Sequence, residues 1–105
     1  MGNEKDFKKT YKRREKIMKA MAHASRLMIL DSLHKNEKCV CELVDLVGDD
    51  PSTVSKHLSV LKNAGIVDDD KRGLKVFYKL TCPCVIEYID CIEKVVRKNS
   101  KELWG

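Results

Sequence analysis

What the chain does without narrows its possibilities first. Across 105 residues no apolar run is long enough to cross a membrane, and the N-terminus shows no secretory signal. A cytoplasmic protein with no membrane partner is therefore expected. No internal repeat and no low-complexity tract is present. Catalytic signatures are missing as well: no nucleophile pairs with a base, and no glycine-rich loop is placed to cradle a phosphate. An enzyme is not expected, and nothing calls for an organic cofactor. The length admits one domain, 1–105, with a small core.

Cysteine and positive charge are what the chain has in excess. Five cysteines cannot all pair within one chain. With no export signal, they argue for reduced thiolates kept as ligands or sensors rather than for a disulfide scaffold. A net charge of +5 permits a nucleic-acid partner without requiring one.

The stretch from Cys39 to Val67 holds two helical patterns joined by a sharp break. Val40, Leu43, Val44 and Val47 recur at helical spacing and define one inward face. Gly48-Asp49-Asp50-Pro51 stops that helix and starts the next, with Asp50 as N-cap and Pro51 at the first helical position. Val54, Leu58 and Leu61 form the second inward stripe, and Ala64-Gly65 ends it. Ser52, Thr53, Ser55, Lys56, His57, Ser59 and Lys62 are left facing outward. A helix-turn-helix over about 40–64 follows, with small hydroxyl side chains that allow close approach to a major groove and cations for phosphates or base edges.

Around this unit the chain reads as mainly α with a small β-hairpin: five helices and a two-stranded wing. Residues 1–6 are expected to be frayed, and a basic amphipathic helix begins at Phe7 with Tyr11, Ile17, Met18 and Met21 on one side. Ser25 is placed to cap the next helix, which carries Leu27, Leu30 and Leu33 inward to about Lys35. Residues 66–80 alternate as a hairpin turning at Arg72-Gly73, with Lys71, Arg72 and Lys75 at its tip. A basic hairpin directly after such a helix is a wing, placed to touch backbone or minor groove. The last helix, about 83–98, repeats Val85, Ile89, Ile92 and Val96 as a seam for another helix. The first and last helices together hold more apolar surface than one small core absorbs. A homodimer through both is expected, reading paired half-sites of double-stranded operator DNA.

Three segments resemble the ArsR/SmtB family of winged-helix transcriptional repressors. Arg26-Leu27 with Ile29-Leu30 is similar to its second helix. Ser52-Thr53-Val54-Ser55-Lys56-His57-Leu58 is similar to its recognition helix, and Cys39-Val40-Cys41-Glu42-Leu43 to the metal-binding box of its arsenic and cadmium sensors. The likeness extends over about residues 15–97. It implies a homodimer that represses a metal or metalloid resistance operon, leaving DNA when the toxic ion binds. It also implies that Ser52, Thr53, Ser55, Lys56 and His57 face DNA beside the wing residues Lys71, Arg72 and Lys75. The chain departs from the family pattern in three places. Asp49, Asp50 and Asp68–Asp70 bring negative charge near the DNA surface, Val44 stands where arsenic sensors often carry a third cysteine, and the N-terminal arm has no cysteine.

The expected effector is As(III), or Sb(III), with Cd(II), Pb(II) and Zn(II) as alternatives suited to soft thiolates. Cys39 and Cys41 point to different faces of an unbroken helix, so they chelate one ion only at a helix start. Cys82-Pro83-Cys84 forms a second pair at another helix start. Three arrangements are open. The first pair recruits a thiolate from Cys82 or Cys84, in the same chain or across the dimer; or the two pairs form separate sites; or Cys82 and Cys84 alone are the sensor. Cys91 is expected to be a buried space-filling thiol. The last helix has Glu87, Asp90 and Glu93 but no histidine, which disfavours a zinc site there. Two rivals stand beside the metal-responsive repressor: a repressor that senses redox state or persulfide through paired thiols, and a small thiolate metal-binding protein that ignores DNA.

Overall fold

The structure, a computed structural model, describes the backbone over residues 4–104 and side chains over 5–100. Eight elements follow one another: α1 (Glu4–Met21), α2 (Ala24–Lys35), β1 (Lys38–Cys39), α3 (Val40–Val47), α4 (Pro51–Asn63), β2 (Val67–Arg72), β3 (Lys75–Leu80) and α5 (Val85–Trp104). The five helices and the β2–β3 hairpin match the sequence expectation. Of the stretch expected to fray, 1–3 lies outside the described residues, and from Glu4 the chain is already helical.

The stops and starts have local causes. Gly48 closes α3 in the left-handed conformation, with φ of 81°, and its N–H donates to the Val44 carbonyl at 3.0 Å. Asp50 then caps α4 by accepting from the Thr53 N–H at 2.9 Å, with Pro51 in the first turn. At α2 the expected cap is corrected. His23, not Ser25, accepts through Nδ1 from the Ser25 N–H at 3.1 Å. The Ser25 hydroxyl is free for another task, donating to Asp49 at 3.1 Å.

The sheet has three strands, ordered β1-β3-β2 and antiparallel throughout. The added strand, β1, lies between α2 and α3, where no strand was expected from the sequence. Lys38 and Cys39 pair with Tyr78 and Phe77, a register set by residues nearly forty positions away. The wing is thereby joined to the start of α3.

Ile29, Leu30 and Leu33 of α2, Leu43 of α3, Val54, Leu58 and Leu61 of α4, Ile66, Val67 and Ile86 form the core. Leu27, expected inward, is half-buried and packs against this core, which Ile29 also joins. Two helices extend beyond this core. The radius of gyration is 16.2 Å, against about 13 Å for a compact chain of this length. Phe7, Tyr11 and Met18 of α1 and Tyr88, Ile92, Val95 and Val96 of α5 are exposed. No helix among the described residues is long and apolar enough to cross a membrane.

Candidate nucleic-acid interface and thiol pairs

Helix α4 presents Ser52, Ser55, Lys56 and Ser59 to solvent, with Thr53 half-buried. The first two hydroxyls expected on this face are not loose. Ser52 Oγ donates to Asp50 at 2.6 Å, and Thr53 Oγ1 donates to the other carboxylate oxygen at 3.0 Å. These donors, with the Thr53 N–H, hold the Asp50 carboxyl down to a pKa of about 2. Ser55 and Lys56 carry no such restraint among the described residues. Lys62, at the end of the helix, reaches Asp69 of β2 at 2.9 Å and so fastens α4 to the wing.

His57 does not face outward, which corrects its expected DNA-facing role. It is 7% exposed. Its Nδ1 accepts from Arg26 Nε at 3.0 Å, and its ring lies 4.4 Å from that of His23, centroid to centroid. Its Nε2 stands 3.9 Å from Asp49 Oδ2, the same oxygen that takes the Ser25 hydroxyl. Arg26 also donates to the Ala20 carbonyl at 3.3 Å. The imidazole therefore ties α4 to α2 and to the turn before α4, and Arg26 extends the link to the end of α1. An accepting Nδ1 requires the neutral ring with its proton on Nε2. Burial, then the nearby His23 and the Arg26 charge, push the His57 pKa below its ordinary value. The spacing carried a sign of this: His57 lies three residues after Val54 and four before Leu61, both buried.

At the wing the three expected cations differ. Lys71 and Lys75 are exposed and enter no ion pair among the described residues. Arg72 is held by Glu37 and Asp70. Between them Leu74 is fully exposed at the hairpin tip.

Cys39 is buried as the N-cap residue of α3, and its backbone N–H donates to Glu42 Oε1 at 3.0 Å. Cys41 lies one residue into the helix and is exposed. The helix start brings the two together, with Cα atoms 5.4 Å apart, but their sulfurs are joined as a disulfide where the sequence led to an expectation of reduced thiolates. A cavity of about 360 Å³ opens beside them, lined by Cys39, Val40, Cys41, Ser55, Leu74, Lys75 and Val76. The pair thus shares a wall with the outer face of α4 and with the wing tip.

The second pair precedes α5 on a tight turn, in which Val85 N–H donates to the Cys82 carbonyl at 3.2 Å. Cys82 and Cys84 are exposed, with their sulfurs 2.8 Å apart. That contact raises the Cys84 thiol above its usual pKa. The two pairs are not brought together within one chain. Cys39 lies opposite Phe77, and β3 runs roughly 10 Å further before it ends at Leu80. No group of three His, Cys, Asp or Glu side chains among the described residues is arranged to hold a metal ion. Cys91, expected to be buried, is exposed. It sits on the outward stripe of α5 with Tyr88, Ile92 and Val95.

Residues 23–69 match the bacterial regulatory protein, arsR family. An uncharacterized HTH-type transcriptional regulator of Methanocaldococcus jannaschii is 37% identical over 86 residues, covering 81% of this chain and 97% of that protein. The cadmium resistance transcriptional regulatory protein CadC of Listeria innocua is 38% identical over 63 residues, 59% of this chain and 53% of CadC, so the match spans about half of that relative. Among solved structures, a homodimeric winged helix-turn-helix DNA-binding domain from Mycobacterium bovis superposes with a TM-score of 0.79. That likeness covers 96% of this chain and 94% of the domain at 24% identity, and it shows the winged-helix fold.

Proposed function

The chain belongs to the ArsR family of bacterial regulatory proteins, and we propose that it is a thiol-gated repressor of a metal or metalloid resistance operon. Its class, a DNA-binding transcriptional regulator rather than an enzyme, follows from the family. The proposal concerns how it is switched. The observation that carries it is the position of Cys39 and Cys41 in a cavity shared with Ser55 and with Leu74–Val76. An effector held by those sulfurs acts on the reading helix and the wing at once.

In this reading a homodimer grips operator DNA through Ser52, Thr53, Ser55 and Lys56 in the major groove and through Lys71 and Lys75 on the backbone. Its interface is the exposed apolar face of α1 and α5, where Phe7 is 67% and Val95 58% exposed. Once the Cys39–Cys41 disulfide is reduced, two thiols at a helix start suit a soft ion, and As(III) is the effector we assign, with Sb(III) and Cd(II) next. Each As–S bond forms as a thiol proton leaves with an arsenite hydroxyl as water. A third ligand comes from solvent or from the Cys82–Cys84 turn of a second protomer. Coupling of about 1–3 kcal/mol is usual between linked sites, and effective release uses the upper end.

One observation favours a second reading. With the Cys39 and Cys41 sulfurs joined, the pair has no thiol to offer an ion, and the same site becomes a redox switch. Two thiols lose two protons and two electrons to a peroxide or a small disulfide.

The test is a DNA-binding titration on the protein's own upstream region, in reducing buffer, with arsenite and then with cadmium. Release near stoichiometric arsenite supports the arsenic-responsive repressor, and release by cadmium alone moves the effector to a four-ligand ion. Release by peroxide, reversed by reductant alone, selects the redox switch. No DNA complex at any salt would sink the proposal.

A further inference from the structure

Arg72 stands at the end of β2, where a wing cation meets the DNA backbone, yet its guanidinium is already occupied. Nη1 and Nη2 donate to the two carboxylate oxygens of Glu37 at 2.5 and 3.0 Å, a fork-on-fork pair. Nε donates to Asp70 Oδ2 at 2.9 Å. The Phe77 ring lies beneath, its centroid 4.7 Å from the guanidinium carbon. Every guanidinium nitrogen thus has a carboxylate partner, and the cluster of Arg72, Glu37 and Asp70 taken by itself is net negative. Isolated surface ion pairs contribute little, but a bidentate pair within a network is the geometry that persists. Carboxylate and phosphate offer arginine the same two-oxygen edge.

Glu37 does not come from the wing. It lies in the turn between α2 and β1, two residues before Cys39, and β1 pairs with β3 beside it. The adjoining Lys71 and Lys75 have no ion pair among the described residues. The wing tip, residues 71–75, therefore has two unpaired cations and one restrained cation, and the restraint arises next to the Cys39–Cys41 pair.

We infer that Glu37 is a positioning residue for DNA binding: its carboxylate occupies the place of a backbone phosphate and keeps Arg72 out of the protein–DNA contact. Lys71 and Lys75 carry the wing's phosphate contacts while Arg72 stays in the ion pair. The inference rests on the DNA-binding reading above. Glu37 is a negative gate on affinity, set by the same turn that leads into Cys39.

The experiment is the salt dependence of binding to the upstream DNA for wild type, E37Q, R72Q and the E37Q/R72Q double variant. Each phosphate neutralised on duplex DNA contributes a slope of about −0.9 in log K against log salt. R72Q is expected to leave the wild-type slope unchanged. E37Q removes the carboxylate charge and the two-oxygen edge from the terminal nitrogens, and it is expected to steepen the slope by about 0.9 for each wing in contact, with several-fold tighter binding at low salt. In the double variant that steepening is expected to vanish. A slope flattened by R72Q alone, an E37Q slope equal to wild type, or the same steepening in the R72Q background would each overturn the inference while leaving the regulator standing. A wild-type protein that forms no DNA complex would take down both.

Discussion

His57 gives the sharpest test of the packing argument, because its sequence position and its structural position point to different roles. Replacing it with leucine keeps a side chain of similar bulk in the core but removes the acceptor beneath Arg26 Nε. A buried donor left without a partner costs about 1–3 kcal/mol. Arg26 is only half-buried and recovers part of that from water, which places the expected cost in the lower half, about 1–2 kcal/mol. For a domain near this size the melting temperature should fall by roughly 4–16 °C. The measurement is thermal unfolding at fixed protein concentration, since dimerisation makes the midpoint concentration-dependent.

The pH dependence carries a second signature of the same residue. Burial, His23 and Arg26 lower the folded-state pKa, while Asp49 opposes them. As pH falls below about 6.5 the unfolded chain takes up this proton first. The stability from His57 is therefore complete above about 6.5 and is lost as pH falls toward the folded-state value. H57L should show a shallower acid loss than wild type. A variant that melts within a degree of wild type and keeps the same acid loss would refute the reasoning. Unchanged stability with weakened DNA binding would return His57 to the reading face.

Three further outcomes follow from the proposed site. K71A should weaken binding to all DNA sequences alike and flatten the salt slope by about 0.9 for each protomer bound, read by fluorescence anisotropy over a salt series. C39S/C41S should bind upstream DNA as wild type does but stay bound in arsenite or cadmium; a variant still released normally would move the sensor elsewhere. V95D, which puts a carboxylate on the exposed stripe of α5, should shift the protein from dimer to monomer in sedimentation and weaken operator binding with it. A V95D protein that remains fully dimeric would place the interface on another face.

Much of the fold was legible because its signals are local. Asp50 and Pro51 announce the start of α4, Gly48 ends α3, and Val54, Leu58 and Leu61 mark the buried stripe at helical spacing. The parts that escaped depend on partners distant in the chain. Strand β1 is two residues long and exists through Tyr78 and Phe77. Arg72 reads as a wing cation until Glu37, 35 residues earlier, comes within reach. Cys91 reads as buried because its helix is apolar, yet the stripe it shares with Tyr88 and Val95 is left uncovered in the single chain. His57 was legible by spacing and was misplaced by its chemistry: a basic side chain among serines and lysines suggests DNA, whereas its period places it inside. Which thiols meet is likewise set by where β3 carries the chain, not by the two C-x-C spacings.

The link between Lys62 and Asp69 bears on which operators the protein accepts. In the DNA-binding reading proposed above, it supplements the short 64–66 connection between α4 and β2, so that helix and wing act as the two jaws of a caliper with a set gap. Duplexes whose local groove widths match that gap dock without distortion. Others must be bent or compressed to fit, at a cost set by the stiffness of base steps that no side chain touches. Part of the operator's identity is then written in the mechanics of the DNA, and mutations at uncontacted positions of the site should change affinity as surely as those beneath Ser55.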